Sequence, residues 1–200
     1  MPRVRHGRPA RRGRVQRLRT SARVSRHRRG PQMPYYNEKN YSIERSVGYL
    51  LNELAKLIND DLDARLKDAL SVSFAQWRVL VAILQCDTEP EPASASILCS
   101  KIDYDSGAMT RLLDKLEALG FVTRERDVWD RRAYTLKLTK KGRLVATKGL
   151  VIARDNLNDS MADLTDQEAE TLLSLLIKVR QTNLALKTAR QPAQKAPKRA

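Results

Sequence analysis

Hydrophobic residues recur every three or four positions along most of the chain. From Ser42 to about Leu70 this spacing continues over many turns and predicts one amphipathic helix, about 40 Å long at ~1.5 Å per residue. The next stretch, SFAQWRVLVAIL, is nearly all apolar in its second half, which is typical of a central helix. Ser73 and Gln76 at its start have the spacing of a capping box.

A short helix and a longer, capped helix follow. SASILCSKI predicts a helix that ends near Lys101. Either Asp105 or Ser106 can cap the next helix, because a short side-chain oxygen accepts the free N–H groups of a first turn. Gly120 supplies the left-handed stop of that helix. One face of the helix is apolar, and the opposite face is polar and is predicted to be exposed.

The spacing then changes from helical to alternating. FVTRER and AYTLKLT predict two strands joined by the loop DVWDRR, with Tyr134, Leu136 and Leu138 on one face. Thr139 caps a further long helix. TDQE, which begins at Thr165, is a second capping box and opens the last helix.

This order of elements predicts a mainly α fold of the α+β type, a winged helix-turn-helix. The major groove of DNA admits one helix, and the N-terminal end of the second helix of such a motif usually enters it. The predicted contacts in that groove are Ser106, Ala108, Thr110, Arg111 and Lys115. The hairpin loop projects Arg131 and Arg132 away from any core, and the narrow, electronegative minor groove attracts such arginines.

Positive charge is concentrated at the two ends of the chain. The net charge is +15, yet residues 1–32 carry twelve Arg and residues 187–200 carry five Lys or Arg, with no Asp or Glu in either segment. The middle, 33–186, holds 21 cations against 23 anions. The basic character therefore belongs to the tails and is not in itself evidence that the folded part binds nucleic acid.

Both tails have the composition of disordered segments. The composition changes at Met33, so residues 1–32 fit an upstream extension from a misassigned start, a basic arm that contacts DNA, or an organellar transit peptide. The predicted organisation is a domain over 33–186, with a reading head at about 73–139 and dimerisation helices at about 42–70 and 140–186, followed by a basic tail over 187–200.

The residues for most enzyme chemistry are missing. Both histidines, His6 and His27, lie in the N-terminal tail, so the rest of the chain offers none for acid–base catalysis, catalytic triads or most zinc sites. No Gly-rich phosphate loop appears either. We predict that the protein is not an enzyme and uses no metal or cofactor. Cys86 and Cys99 fit buried thiols in a reducing cytosol better than a disulfide framework.

The stretch SGAMTRLLDKLEALGFVTRERDVWDRRAYTLKLTKKG resembles the winged helix-turn-helix of the MarR (multiple antibiotic resistance) transcriptional regulators. An Asp-x-Arg wing followed by Leu-Thr and Gly carries the resemblance, matched here by Asp130, Arg132, Leu138, Thr139 and Gly142. The resemblance extends over about 42–187 and covers neither tail. The dipeptide VW at 128–129 departs from it, because family wings usually carry Pro and an acidic residue there. We expect Trp129 to alter how deep the wing sits.

The resemblance implies a homodimer whose first and last two helices form the interface, with two reading heads one DNA turn apart on a palindromic operator. It also implies repression relieved by a small aromatic or anionic ligand between that interface and the reading head. In the wing it implies that Asp130 pairs with Arg132 and braces it while Arg131 enters the minor groove. The candidate ligand contacts, for which ordinary interface or core positions are the alternative, are Arg45, Tyr49, Trp77 and Arg78.

Two other functions are compatible with the pattern. A nucleoid or architectural protein would bind DNA through its basic tails with little sequence preference. A dimerising helical adaptor would use the hairpin to contact protein. Neither accounts for the wing as well as a sequence-specific regulator does. No apolar run approaches the ~18 residues that cross a membrane, so we expect a cytoplasmic bacterial protein at the nucleoid.

Overall fold

The structure is a computed structural model and describes residues 34–126 and 134–190. The chain divides into two units, Met1–Tyr41 and Ser42–Ala200. In the described part of the first unit, the backbone N–H of Asn37 donates to Asn40 Oδ1 at 2.7 Å and closes a turn. The ring of Tyr36 packs edge to face against the rings of Tyr35 and Tyr41.

Helices and one hairpin make up the described part of the second unit. In chain order they are α1 Val47–Leu70, α2 Phe74–Cys86, α3 Ala95–Ile102, α4 Ser106–Ala118, β1 Val122–Arg126, β2 Tyr134–Leu138, α5 Lys140–Ser160 and α6 Asp166–Arg190. The predicted order of elements is confirmed.

Two predicted helix boundaries are wrong by a few residues. The first helix begins at Val47 rather than Ser42, because Ser46 has extended backbone and accepts the N–H of Tyr49 as an N-cap. Because an N-cap residue has non-helical backbone angles, the helix does not extend to the N-terminal side of Ser46. The last helix continues to Arg190, so the first residues of the predicted 187–200 tail are helical.

The other end signals act as predicted. Ser73 and Gln76 form a reciprocal capping box at α2. Of the two candidate caps of α4, Asp105 is the one used: its carboxylate accepts the N–H of Ala108 at 2.9 Å, and Ser106 is the first helical residue. Gly120 adopts a φ of +72° just after this helix, a conformation that glycine adopts at little cost.

The core lies around α2, which is buried on most of its circumference. Val79, Leu80 and Ile83 are fully enclosed, as the apolar second half of this helix predicts. The side chains that pack around it from α1, α3, α4, the hairpin and α5 are Leu66, Leu98, Met109, Leu116, Val122, Leu136 and Ala146.

The hairpin is antiparallel, with Val122 opposite Leu138 and Arg126 opposite Tyr134. The N–H of Leu136 also donates to the carbonyl of Ala93 at 2.8 Å, which ties the hairpin to the segment before α3. Leu136 is buried. Tyr134 is 41% exposed, so the predicted inner face of this strand packs against the core only from Leu136 onward.

The Leu-Thr and Gly positions that follow the wing join the hairpin to α5. Thr139 Oγ1 donates to the carbonyl of Gly120 at 2.7 Å and accepts the N–H of Gly142 at 3.0 Å. A side chain at position 142 would place its Cβ 1.9 Å from the carbonyl oxygen of Phe121. Only glycine therefore permits α5 to begin this close to the turn after α4.

The long helices leave apolar faces exposed. No residue of α6 is buried, and on α1 only Leu62 and Leu66 are. The exposed large apolar side chains of α1, α5 and α6 include Leu50, Leu54, Leu57, Leu150, Val151, Leu157, Leu173, Ile177 and Leu184. In the described residues no single helix has the length and apolar character of a membrane span; α1 and α2 reach it only together, as a pair bent by 81°.

Candidate nucleic-acid interface

The amphipathic character of α4 fixes which of its faces is available. Met109, Leu113 and Leu116 are buried against the core and recur at helical spacing. This anchoring turns the opposite face outward. The carboxylate of Asp105 accepts one of the free N–H groups of the first turn. This cap stabilises the end of the helix that is predicted to meet DNA.

Four of the five predicted major-groove residues lie exposed on that outer face: Ser106, Thr110, Arg111 and Lys115. Ala108 is half-buried. The Thr110 hydroxyl donates to the carbonyl of Ser106 at 3.0 Å, which leaves its oxygen as an acceptor. Neither Arg111 nor Lys115 forms an ion pair with any residue that the structure describes. The helix thus presents two unpaired cations and short polar side chains, the groups that contact phosphates and base edges.

An arginine that the sequence analysis did not select connects α4 to the hairpin. Arg124 of β1 lies 2.5 Å from Asp114 through Nη2 and 3.3 Å from Glu117 through Nη1. Both carboxylates are on α4. The only signal in the sequence was an arginine within a short strand beside a helix with two acidic residues at i,i+3 spacing.

The predicted wing residues Asp130, Arg131 and Arg132 lie outside the described residues, as does the loop tip with Trp129. The strands that carry the loop are described to Arg126 on one side and Tyr134 on the other. On the outer side of the hairpin Lys137 Nζ lies 2.7 Å from Glu125 Oε2. The predicted pairing of Asp130 with Arg132 stays a prediction.

A cavity of about 760 Å³ lies between α3, α4 and the hairpin. Two cationic side chains, several hydroxyls and apolar side chains face it. The polar residues of its lining are Ser94, Ser96, Thr110, Glu117, Arg124, Arg126 and Tyr134. This cavity has no signal in the sequence. Its walls come from the four consecutive elements α3, α4, β1 and β2, and only the way these elements pack decides whether a cavity remains between them.

The four candidate ligand contacts do not share one environment. Trp77 is 7% exposed, and its indole Nε1 donates to the carbonyl of Ala146 at 3.2 Å, so this side chain is part of the core between α2 and α5. Arg78 is half-buried, donates to the carbonyl of Ile102 at 2.9 Å and lies over the ring of Phe74.

Arg45 and Tyr49, the other two candidates, lie in the stretch 42–61, which contains no buried residue. Among the described residues the structure therefore places one pair of candidates in packed surroundings and leaves the other pair exposed.

The buried thiol of Cys86 is not prepared for reaction. Burial raises its pKa, although the nearby Lys101 opposes that shift. A thiol with a raised pKa is largely protonated near neutral pH, and the thiolate is the reactive form. The described residues contain no group of three His, Cys, Asp or Glu side chains that could hold a metal ion.

Comparison with known proteins agrees with this geometry. A model of the MarR family matches residues 73–134. The HTH-type transcriptional regulator SarZ of Staphylococcus saprophyticus is 30% identical over 149 residues, which are 74% of this chain and 99% of SarZ. The multiple antibiotic resistance protein MarR of Escherichia coli K12 is 32% identical over 133 residues, 64% of this chain and 90% of MarR.

A solved structure extends the similarity to a complex with nucleic acid. A cysteine-to-serine mutant of MarR from E. coli, complexed with operator DNA, superimposes with a TM-score of 0.58 at 29% identity. The match covers 66% of this chain and 91% of that one. These relatives are transcriptional regulators and not enzymes, as was predicted for this chain from its missing catalytic residues.

Proposed function

Because this chain belongs to the MarR family of DNA-binding transcription regulators, we propose that it acts as a homodimeric repressor of a palindromic operator and is released by a small aromatic or anionic ligand. One observation carries the proposal. The outer face of α4 presents Arg111 and Lys115 without ion-pair partners among the described residues, on a helix that three buried side chains hold in place beside a two-stranded hairpin.

The major groove is the proposed site of α4. Arg111 lies within two turns of the N-terminus and is long enough to meet a guanine edge or a phosphate. Ser106 and Thr110 supply hydroxyls on the same face. The positive end of the helix dipole, with the N–H groups of the first turn, favours an adjacent phosphate.

The minor groove is the proposed site of the wing. The described strands extend from the α4 turn to Arg126 and from Tyr134 back to α5, and we propose that the segment 127–133 between them is the part that meets the groove. In this proposal Arg131 enters the groove, and Asp130 braces Arg132. The narrow groove of an A·T tract has the stronger negative potential.

Dimerisation is proposed from the apolar surface that one chain leaves exposed. A helix such as α6, with apolar residues exposed along 25 residues and none buried, cannot gain stability from burial within one chain. A second copy that covers α1, α5 and α6 removes this surface from water. Two α4 helices would then lie about one helical turn of DNA apart, ~34 Å.

The effector must bind the DNA-binding and the released state of the dimer with different affinities. Otherwise it does not change the equilibrium between them. Arg45 and Tyr49 offer an exposed cation and phenol for a small aromatic acid. The cavity beside α4 is a second candidate location, because its volume falls within the roughly 300–1,000 Å³ of ligand pockets and Arg126 faces it. Arg45→Ala and Arg126→Ala separate the two locations by which variant loses the response.

The test uses a duplex that the wild-type protein selects from a random library, here called the selected duplex, and a scrambled duplex as reference. Arg111→Ala should weaken binding to the selected duplex by roughly 5- to 150-fold, since a lost base contact costs about 1–3 kcal/mol. Lys39→Ala, which removes one positive charge outside the helices proposed to form the dimer, is the control and should change little.

The wing is tested by the sign of one effect. If Asp130 braces Arg132, Asp130→Ala and Arg132→Ala both weaken binding, although the first removes a negative charge near DNA. Tighter binding by Asp130→Ala would end the bracing model. Arg131→Ala should weaken binding most where A·T tracts flank the site.

Three outcomes contradict the proposal as a whole. If the protein binds DNA in a salt-dependent way but selects no sequence, it is an architectural protein. If it does not bind DNA at all, the helical adaptor is supported. A monomer in sedimentation at micromolar concentration would contradict both the dimer and the palindrome.

A further inference from the structure

We propose that Arg124 is a positioning residue that fixes the base of the wing against the recognition helix, with Asp114 and Glu117 of α4 as its anchors. This inference rests on the proposed function, since it concerns how the two DNA-reading elements are held at one relative angle. We call the three residues the α4–wing clamp.

The geometry of the clamp suits a guanidinium. Asp114 and Glu117 are three residues apart and so lie on one side of α4. The two terminal nitrogens of Arg124 reach one carboxylate each, at 2.5 and 3.3 Å, as the fork of an arginine allows. The Arg124 side chain is only 29% exposed, whereas the side chains of Asp114 and Glu117 are 56% and 42% exposed. Arg124 is thus held in place while its partners remain on the surface.

The clamp adds a second point of attachment between α4 and the hairpin. The first is the turn at Gly120, which sets where β1 starts but, as a single short connection, leaves the angle of the hairpin to other contacts. Arg124 stands opposite Leu136, at the centre of the five-pair ladder. Because Leu136 is buried, the strand is fixed from the core side, and the clamp fixes it from the α4 side.

Charge alone does not explain this arrangement. Asp114 and Glu117 place two negative charges on the helix that carries Arg111 and Lys115, where they oppose the approach of phosphates. If the cluster acted only through its field, removing a carboxylate would tighten DNA binding. If it acts through position, removing the carboxylate loosens the wing and weakens selective binding. The two models differ in the sign of the effect.

A matched control exists on the adjacent residue. Glu125 also carries a negative charge in β1, but its partner is Lys137 within the hairpin and not α4. Asp114→Ala and Glu125→Ala therefore each remove one carboxylate near the same surface, and only the first breaks the clamp. Arg124→Lys keeps the charge and loses the fork.

The experiment measures the ratio of affinities for the selected and scrambled duplexes, the thermal midpoint, and amide hydrogen exchange of residues 122–126 in the full chain without DNA. We expect Asp114→Ala and Arg124→Lys to lower the ratio at least threefold and to speed exchange in β1. Glu125→Ala should keep or raise affinity for both duplexes. The thermal midpoint should hardly move, because exposed ion pairs contribute little to global stability.

Tighter binding by Asp114→Ala, or exchange in β1 equal to that of the wild type, would overturn the clamp. If the wild-type protein selects no duplex at all, the proposed function fails. Exchange in β1 still decides the clamp in that case, because it is measured without DNA.

Discussion

Replacing Gly149 by alanine would place a methyl group inside the space of the Trp77 indole. A Cβ at this position would lie 2.1 Å from Nε1, 2.4 Å from Cδ1 and 2.9 Å from Cε2 of that ring. All three distances are shorter than van der Waals contact. The ring is rigid, buried and hydrogen-bonded to Ala146, so it cannot move aside without breaking that bond and disturbing the core between α2 and α5.

The magnitude follows from three contributions. Overpacking of a core costs about 1–3 kcal/mol, and loss of the indole hydrogen bond adds about 0.5–1.5 kcal/mol. Alanine in place of glycine within a helix gives back about 1 kcal/mol. Gly149→Ala should therefore lower the free energy of unfolding by about 0.5–3.5 kcal/mol.

The assay is urea unfolding at fixed protein concentration, followed by circular dichroism. Gly48→Ala is the control, because Gly48 also lies in a helix but has nothing within 4 Å of its ideal Cβ. That variant should be as stable as the wild type or more stable. If the free energy of unfolding of Gly149→Ala also equals or exceeds that of the wild type, the close packing of α5 on Trp77 is wrong.

Three further predictions concern pH, the N-terminal extension and the effector. Hydrogen bonds from Lys67 and from the N–H of Phe74 lower the pKa of Asp63, so its stabilisation is present above the ordinary carboxyl pKa and is lost as pH falls through the folded-state pKa. Asp63→Ala should cost about 1–2 kcal/mol in unfolding at pH 7 and much less near pH 2; an equal cost at both would contradict this linkage. Deleting residues 1–32 should leave the preference for the selected duplex unchanged and at most flatten the salt dependence of binding, because phosphate neutralisation carries no sequence information; loss of preference would show that this arm reads sequence. Small aromatic acids at millimolar concentration should weaken binding, and Arg45→Ala should blunt that response more than DNA binding itself; no change in affinity or thermal midpoint with any such acid would exclude this ligand class.

Trp77 changes how the effector is tested. The sequence predicts this residue, together with Arg45, Tyr49 and Arg78, as a ligand contact. Its burial and its hydrogen bond to α5 mean that Trp77→Ala removes a large core side chain, which typically costs about 3–5 kcal/mol. A weaker response in that variant would reflect lost stability as readily as lost ligand contact, so Arg45 is the better position to substitute.

The local signals of the sequence determined the order of elements and most of their ends. Within residues 34–126 and 134–190, helical and alternating spacing identified every helix and both strands. Ser73, Asp105, Gly120 and Thr139 mark ends where they are expected. Such signals succeed because a cap or a left-handed turn depends on atoms within a few residues. The same signals placed the polar face of α4 outward, and with it Arg111.

Only the tertiary structure decided which partners meet across the chain. The sequence around Arg124 does not by itself decide that it pairs with Asp114 and Glu117 of the preceding helix, and nothing near Trp77 shows that Gly149 admits its ring. These contacts depend on how helices and strands pack. Before the elements pack, the residues of each contact are mostly apart. The spacing of apolar residues along the chain indicates which face of a helix or strand is apolar. Which other element packs on that face is decided only by the tertiary structure.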